Sequence, residues 1–253
     1  ITVFYGQRRE NMTETIDCVI FTGAIRPDNP EYQAAHEKNL PCLTRGQLMG
    51  QIMQHYPTSI AVSGTHGKTT TTSMVSEILL HGDLDPTLTV GGVLKDIDGN
   101  IRIGHSGYFV TEACEYTNSF LDFFPKIGII LNIGEDHLDS FKDLEDIRHS
   151  FRAFAELLPE DGCLIINGEI ERLEEITAGL RCPVVTFGLK EGCDYYADNI
   201  SYGNLGHPTF TFHAKKGGAR TVSLSVPGEH NVCNALAALA LADRLAIDSA
   251  VAD

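Results

Sequence analysis

The run Ser63-Gly64-Thr65-His66-Gly67-Lys68-Thr69-Thr70 joins three things that a bound phosphate needs. Glycines let backbone N–H groups converge, Lys68 supplies positive charge, and the Thr69 hydroxyl can ligate magnesium beside it. The general pattern G-x-x-x-x-G-K-[ST] puts its first glycine at position 62, where this chain has Val62, so the loop is a variant in which Gly64 makes the turn. An ordinary glycine turn before a helix is the plain alternative. A strand ending at Val62 and a helix opening at Lys68 are the context a phosphate loop requires, and phosphate binding is the better reading.

Three further clusters accompany it. The apolar segment 108–111 runs into Glu112, with Glu115 one turn on. In an open parallel sheet the carboxyl ends of the strands gather at one crevice, so Glu112 is expected near Lys68, where its hard oxygens suit magnesium. A solvated strand end is the alternative for Glu112 alone. The segment Asn132-Ile133-Gly134-Glu135-Asp136-His137-Leu138-Asp139 places a histidine among carboxylates just past an apolar run. That combination can hold a second metal or orient an acyl substrate, or it is only a charged loop. Lastly, in Pro227-Gly228-Glu229-His230-Asn231-Val232-Cys233-Asn234-Ala235 two carboxamides lie three residues apart at a helix start. They could cap the helix or present donor and acceptor to the edge of an adenine ring.

The elements that must position these groups alternate in type. From residue 58 the order reads strand 59–62, helix 68–80, strands 108–111 and 127–133, helix 144–158, strand 163–167, helix 169–178 and strand 184–187. Met74, Val75, Ile78 and Leu79 share one face of the first helix, and Leu144, Ile147, Phe151, Phe154 and Leu158 share one of the second. Runs such as 127–131 are apolar on both faces, as in central parallel strands covered by helices. The pattern predicts an α/β fold with a doubly wound, mainly parallel sheet. Residues 196–226 alternate in period two and predict a small antiparallel extension, and an Ala/Leu-rich helix over 231–245 closes the chain. Before residue 58, apolar runs at 1–5 and 18–22 and helices at 31–38 and 44–54 read as part of a smaller α/β domain. Pro57 marks the boundary, giving domains 1–57 and 58–253.

Composition excludes several function classes. The 253 residues carry a formal net charge of -15 and no Lys/Arg run longer than two, so there is no nucleic-acid footprint and no basic patch for an anionic membrane. The apolar runs 127–133 and 235–242 are far shorter than the roughly 20 residues that span a bilayer. Seven cysteines without a Cys-x-x-Cys pair argue against a disulfide framework and for a reducing cytoplasm. The chain opens on Ile1 inside what reads as a folded element and is expected to be a fragment.

In order and spacing the four clusters resemble the Mur ligase family, ATP-dependent enzymes that build the peptidoglycan stem peptide. The forms Gly64-Thr65-His66-Gly67-Lys68-Thr69-Thr70-Thr71-Thr72, Thr22-Gly23-Ala24-Ile25 with Asp28-Asn29-Pro30-Glu31, and the H-N-x-x-N-A-x-A-A run from His230 are similar to its alanine-adding branch. The resemblance implies that Gly64 to Thr70 and Lys68 hold the ATP phosphates, that Thr69 and Glu112 hold one magnesium and His137 a second, and that His230, Asn231 and Asn234 surround adenine. Asn132 and Glu115 would lie near the substrate. The implied substrates are UDP-N-acetylmuramate, bound by the partial domain 1–57, and L-alanine, joined through an acyl phosphate. Oligomeric state is not implied.

Two departures stand out. The family's E-A-D-E-S-D reads here Glu112-Ala113-Cys114-Glu115-Tyr116-Thr117, which keeps both glutamates but alters their neighbours. Where some members carry a carbamoylated lysine, the chain offers Arg148 and Arg152. The resemblance also implies that a Gly-rich turn before Ile1 and a whole domain after Asp253 are missing, so that the fragment binds nucleotide but ligates poorly. A tripeptide-recycling ligase of the same family, or a non-ligase P-loop NTPase, are the rival readings. Against a switch GTPase, the chain has no Asn-Lys-x-Asp.

Overall fold

A computed structural model describes residues 2–135, 141–215 and 218–252. The N-terminal part contains β1 (Val19–Phe21), α1 (Pro30–Glu37), β2 (Cys42–Thr44) and α2 (Arg45–Met53), with β1 and β2 paired in parallel as a two-stranded sheet. Local signals set these helices. Asn29 caps α1 by accepting from the Glu31 and Tyr32 amides, with Pro30 at the first helical position. Thr44 and Gln47 form a reciprocal capping box on α2. The apolar run at 1–5 forms no strand over its described residues, where Val3, Phe4 and Tyr5 are exposed.

A ten-stranded sheet follows, built from β3 (Thr58–Ser63), β4 (Thr87–Leu94), β5 (Gly99–Arg102), β6 (Tyr108–Glu112), β7 (Ile127–Ile130), β8 (Cys163–Asn167), β9 (Val184–Gly188), β10 (Tyr195–Tyr202), β11 (Pro208–Ala214) and β12 (Gly218–Ser223). Its order is β12-β11-β10-β9-β8-β7-β3-β6-β4-β5. Strands β10 to β4 run parallel across the middle, and β5, β11 and β12 pair antiparallel at the two edges. The helices are α3 (Lys68–His81), α4 (Leu144–Glu156), α5 (Leu173–Thr177), α6 (His230–Arg244) and α7 (Ser249–Ala252).

The period-two geometry of strands explains why the sheet is covered on both faces. Ile60, Val62, Ile129 and Ile165 point to one side, where they join Val75 and Leu79 of α3 and Leu236 and Leu239 of α6. Ala61, Ile130, Leu164 and Ile166 point to the other, where they meet Ile147, Phe151 and Phe154 of α4. Phe120 stacks on Phe154 with ring centroids 4.9 Å apart and meets Phe151 edge-on at 5.6 Å, which fixes the segment after β6 against α4. This is the doubly wound sheet that the sequence predicts.

Several details differ from the sequence reading. Strands β4 and β5 were not anticipated, because the Gly91-Gly92 pair inside β4 interrupts the alternation that marks a strand. The strand expected over 127–133 stops at Ile130, since Asn132 leaves the ladder to bond a neighbouring loop. The helix expected over 169–178 shrinks to Leu173–Thr177, because Arg172 adopts a left-handed conformation (φ 55°). The antiparallel extension is continuous with the main sheet, as β10 pairs in parallel with β9 before β11 and β12 turn back, and β12 ends at Ser223.

Candidate nucleotide site

The crevice lies where the sheet order reverses, at the carboxyl end of β3 between β6 and β7. Gly64, directly after β3, has φ 142°, and a Cβ there would fall 2.9 Å from Leu131 Cβ. Gly67, at the N-cap of α3, has φ 86°, and its Cβ would fall 2.5 Å from Asn234 Oδ1. Both positions therefore require glycine, one for the fold-back against β7 and one for the approach of α6.

The loop between them is braced on one side by the segment after β7. Leu131 N–H donates to Ser63 O (3.0 Å), Thr65 N–H to Asn132 O (3.1 Å) and Gly134 N–H to Thr65 Oγ1 (2.9 Å). The Asn132 carboxamide grips the His66 peptide from both sides, accepting from its N–H at 2.8 Å and donating to its C=O at 3.0 Å. Engaged this way, the Asn132 carboxamide, expected near the substrate, braces the loop.

Lys68 and Thr69 open α3, whose first amides and dipole favour an anion. Thr69 Oγ1 donates to Glu112 Oε2 at 3.0 Å, and Glu112 Oε1 accepts from Gly91 N–H at 2.6 Å. The sequence reading thus placed Glu112 beside the loop, while the Gly91 amide went unseen because β4 did. A hydroxyl and a carboxylate oxygen this close match the hard-oxygen preference of magnesium, so Thr69 and Glu112 fit that ion. Lys68 Nζ donates to Gly64 O, to Thr65 O at 3.1 Å and to Glu115 Oε2 at 3.0 Å. Glu115, expected beside substrate, instead sits under the loop, only 2% exposed, paired with the lysine. His137 lies outside the described residues. Thr70 lines a separate groove with Met74, Val222 and Leu239, on the far side of α3.

Beside the loop a pocket of about 370 Å³ is lined by His66, Gly67, Leu131, Asn132, Asn167, Phe187, His230, Cys233 and Asn234. His230 and Asn234, expected to surround adenine, both line this pocket. Asn231 is buried inside α6, donating to Pro227 O (2.7 Å) and accepting from Asn234 Nδ2 (2.9 Å). It makes no capping bond, and its part is to orient Asn234. Asn167, Phe187 and Cys233 went unpredicted as pocket residues. Asn167 ends β8, so the strand-end argument used for Glu112 applies to it equally; Phe187 carries no such signal. Burial, with the nearby Glu169 and Glu229 carboxylates and Cys193, pushes the Cys233 thiol up to about 11.

A second cleft, of about 290 Å³, lies between the N-terminal part and β6, with Thr22, Arg45, Glu112, Cys114, Tyr116 and Thr117 among its lining. The segment Thr117-Asn118 is held in left-handed conformations (φ 53° and 57°), and Ser150 Oγ donates to Asn118 Oδ1. Arg148 and Arg152, by contrast, face backbone carbonyls around α5, Arg152 bonding Ile176 O at 3.0 Å and Ala178 O at 2.6 Å.

A doubly wound, mainly parallel sheet whose central strand leads through a Gly-Lys-Thr loop into a helix is the arrangement of the P-loop nucleotide-binding class. The sequence matches the Mur ligase middle domain over residues 62–242 and the Mur ligase family catalytic domain over residues 1–57. The chain belongs to the Mur ligase family. It is 54% identical over 248 residues to the UDP-N-acetylmuramate--L-alanine ligase of Agathobacter rectalis, covering 98% of this chain and 54% of that protein. The crystal structure of UDP-N-acetylmuramate-alanine ligase from Thermotoga maritima superposes with a TM-score of 0.85 at 30% identity, covering 100% of this chain and 56% of the other. That of the UDP-N-acetylmuramate:L-alanyl-gamma-D-glutamyl-meso-diaminopimelate ligase from Neisseria meningitides gives 0.88 at 26% identity, covering 98% and 81%. The chain spans about half the length of the curated relatives it matches. Among the described residues no helix is long and apolar enough to cross a membrane.

Proposed function

We propose that this chain is the nucleotide-handling part of a cytoplasmic ligase that uses ATP to join L-alanine to the lactyl carboxylate of UDP-N-acetylmuramate in peptidoglycan assembly. The observation that carries this reading is the junction of Lys68, Thr69 and Glu112 at the start of α3, with Thr69 Oγ1 3.0 Å from Glu112 Oε2. Residues 1–57 would contribute to the UDP-substrate site, and residues 58–253 would hold ATP.

The chemistry follows from the donor set. The loop amides and Lys68 bind and orient the β and γ phosphates, while His230 and Asn234 meet the base. Thr69 and Glu112 would hold magnesium, which when bound supplies positive charge to the phosphate oxygens. The lactyl carboxylate oxygen attacks the γ phosphorus, the bond to the bridging oxygen breaks, and ADP leaves. The L-alanine amine then attacks the acyl carbon and phosphate departs, the amine losing its proton. Little covalent chemistry falls to the protein, so positioning and charge neutralisation dominate.

The 54% identity to a UDP-N-acetylmuramate--L-alanine ligase favours free L-alanine over a tripeptide as acceptor. Two measurements test the proposal. Titration of this chain with ATP and magnesium should show binding that Lys68→Ala and Glu112→Ala weaken; unchanged binding in both variants would remove the site assignment. Offered both acceptors, the full-length protein should release phosphate with L-alanine, and a response to the tripeptide alone would point to recycling.

A further inference from the structure

The Lys68 ammonium has three N–H donors, and in this structure all of them point into the protein: to Gly64 O, to Thr65 O and to the Glu115 carboxylate, whose two oxygens lie 3.0 and 3.3 Å away. The Lys68 side chain is 15% exposed and that of Glu115 2% exposed. A cation and an anion so far from water each require a partner, and each supplies the other's. Glu115 comes from the segment after β6, separate from both the loop and the Asn132 brace. A nucleotide phosphate that recruits Lys68 must therefore draw Nζ away from these partners, and Glu115 is the charged one among them.

We infer that Glu115 is a positioning residue, a built-in counter-ion that competes with the nucleotide phosphates for Lys68 and so sets how strongly the loop holds them. This rests on the proposed nucleotide site and deepens it. The ion pair holds the lysine buried and aimed at the loop, and it opposes binding of any ligand too weakly anionic to displace the carboxylate. The site would then favour polyphosphate over a single, weakly charged phosphate.

Calorimetric titration of this chain with ATP and magnesium, and separately with adenosine, tests the inference. Glu115→Gln keeps the shape and a hydrogen-bond acceptor for Nζ but removes the charge. It is expected to bind ATP about two- to fivefold more tightly than wild type, the range of a single modest ion-pair interaction. Adenosine, which brings no phosphate, should bind both alike. In a Lys68→Ala background the gain from Glu115→Gln should vanish. Equal or weaker ATP binding by Glu115→Gln, an equal change for adenosine, or a gain that persists without Lys68 would each overturn the inference. Should Lys68→Ala bind ATP as wild type does, the nucleotide-site reading fails instead, so the two failures are distinct. A measurement that needs no variant completes the test: in a crystal of the wild-type chain with a non-hydrolysable ATP analogue, Lys68 Nζ should lie beyond ion-pair reach, about 4 Å, of both Glu115 oxygens. An intact pair there would contradict the inference.

Discussion

The two halves of the candidate nucleotide site are built on different principles. The phosphate half is polar and concentrated: Gly64 to Thr69 form one loop, and Glu112, Glu115 and Asn132 reach it from the ends of the two strands flanking β3. The base half is a hollow assembled from β7, β8, β9 and α6, with buried Leu131 and Phe187 beside the polar tips of Asn167, His230 and Asn234. Charge at the first half is specified by residue type, whereas the shape of the second is specified by packing. Substitutions should therefore fail differently in the two halves.

The largest effect is expected from the base half. Phe187 is fully buried, and Phe187→Ala should cost about 3–5 kcal/mol in chemical denaturation. In the protein that remains folded, affinity for adenosine and for ATP should fall together. Next comes Gly64→Ala, where φ 142° and a contact of 2.9 Å with Leu131 strain any side chain. A loss of about 2 kcal/mol in stability is expected, with ATP binding impaired far more than adenosine binding. Asn132→Ala should be milder for the fold, about 1 kcal/mol, because the exposed His66 peptide can turn to water. It should nonetheless weaken ATP about tenfold by loosening the loop, with adenosine unaffected. If Asn132→Ala and Phe187→Ala gave the same adenosine-to-ATP ratio, the division into halves would be wrong.

The smallest effect concerns pH. The Cys233 thiol is held up to about 11 against an ordinary 9.0, by burial first and then by Glu169, Glu229 and Cys193. The folded chain thus prefers the protonated thiol, and the associated stability is complete below pH 9 and declines as pH rises toward 11. Alkylation of Cys233, followed by peptide mass spectrometry, should be slow at neutral pH and accelerate across that window. Rapid labelling at pH 7 would contradict it.

The same contrast explains what could be read from the sequence. The Gly-Lys-Thr loop, the approach of Glu112 to it and the mainly parallel sheet around them were legible because Lys68, Thr69 and the glycines obey a local rule, and strand ends in a parallel sheet converge. The role of Asn132 was not, because bracing needs the distance between two loops remote in sequence. Neither was the pairing of Glu115 with Lys68, since the fold decides which way a carboxylate one turn past a strand will point. Phe187 belongs to the pocket only because β9 pairs beside β8, and no residue pattern marks it. The Gly91 amide was hidden by the glycines that disguised β4, although the missing side chain of Gly91 leaves room for the close approach of Glu112.

Both halves are expected to serve one nucleotide, and Cys233, which lines the second, is placed to report on it. Its alkylation rate at pH 9 should be measured with and without ATP and magnesium, in the wild type and in Lys68→Ala. ATP is predicted to protect Cys233 in the wild type, and Lys68→Ala should require a much higher ATP concentration for the same protection. Alkylation of wild-type Cys233 at an undiminished rate under saturating ATP would mean that the pocket beside the loop does not hold the nucleotide.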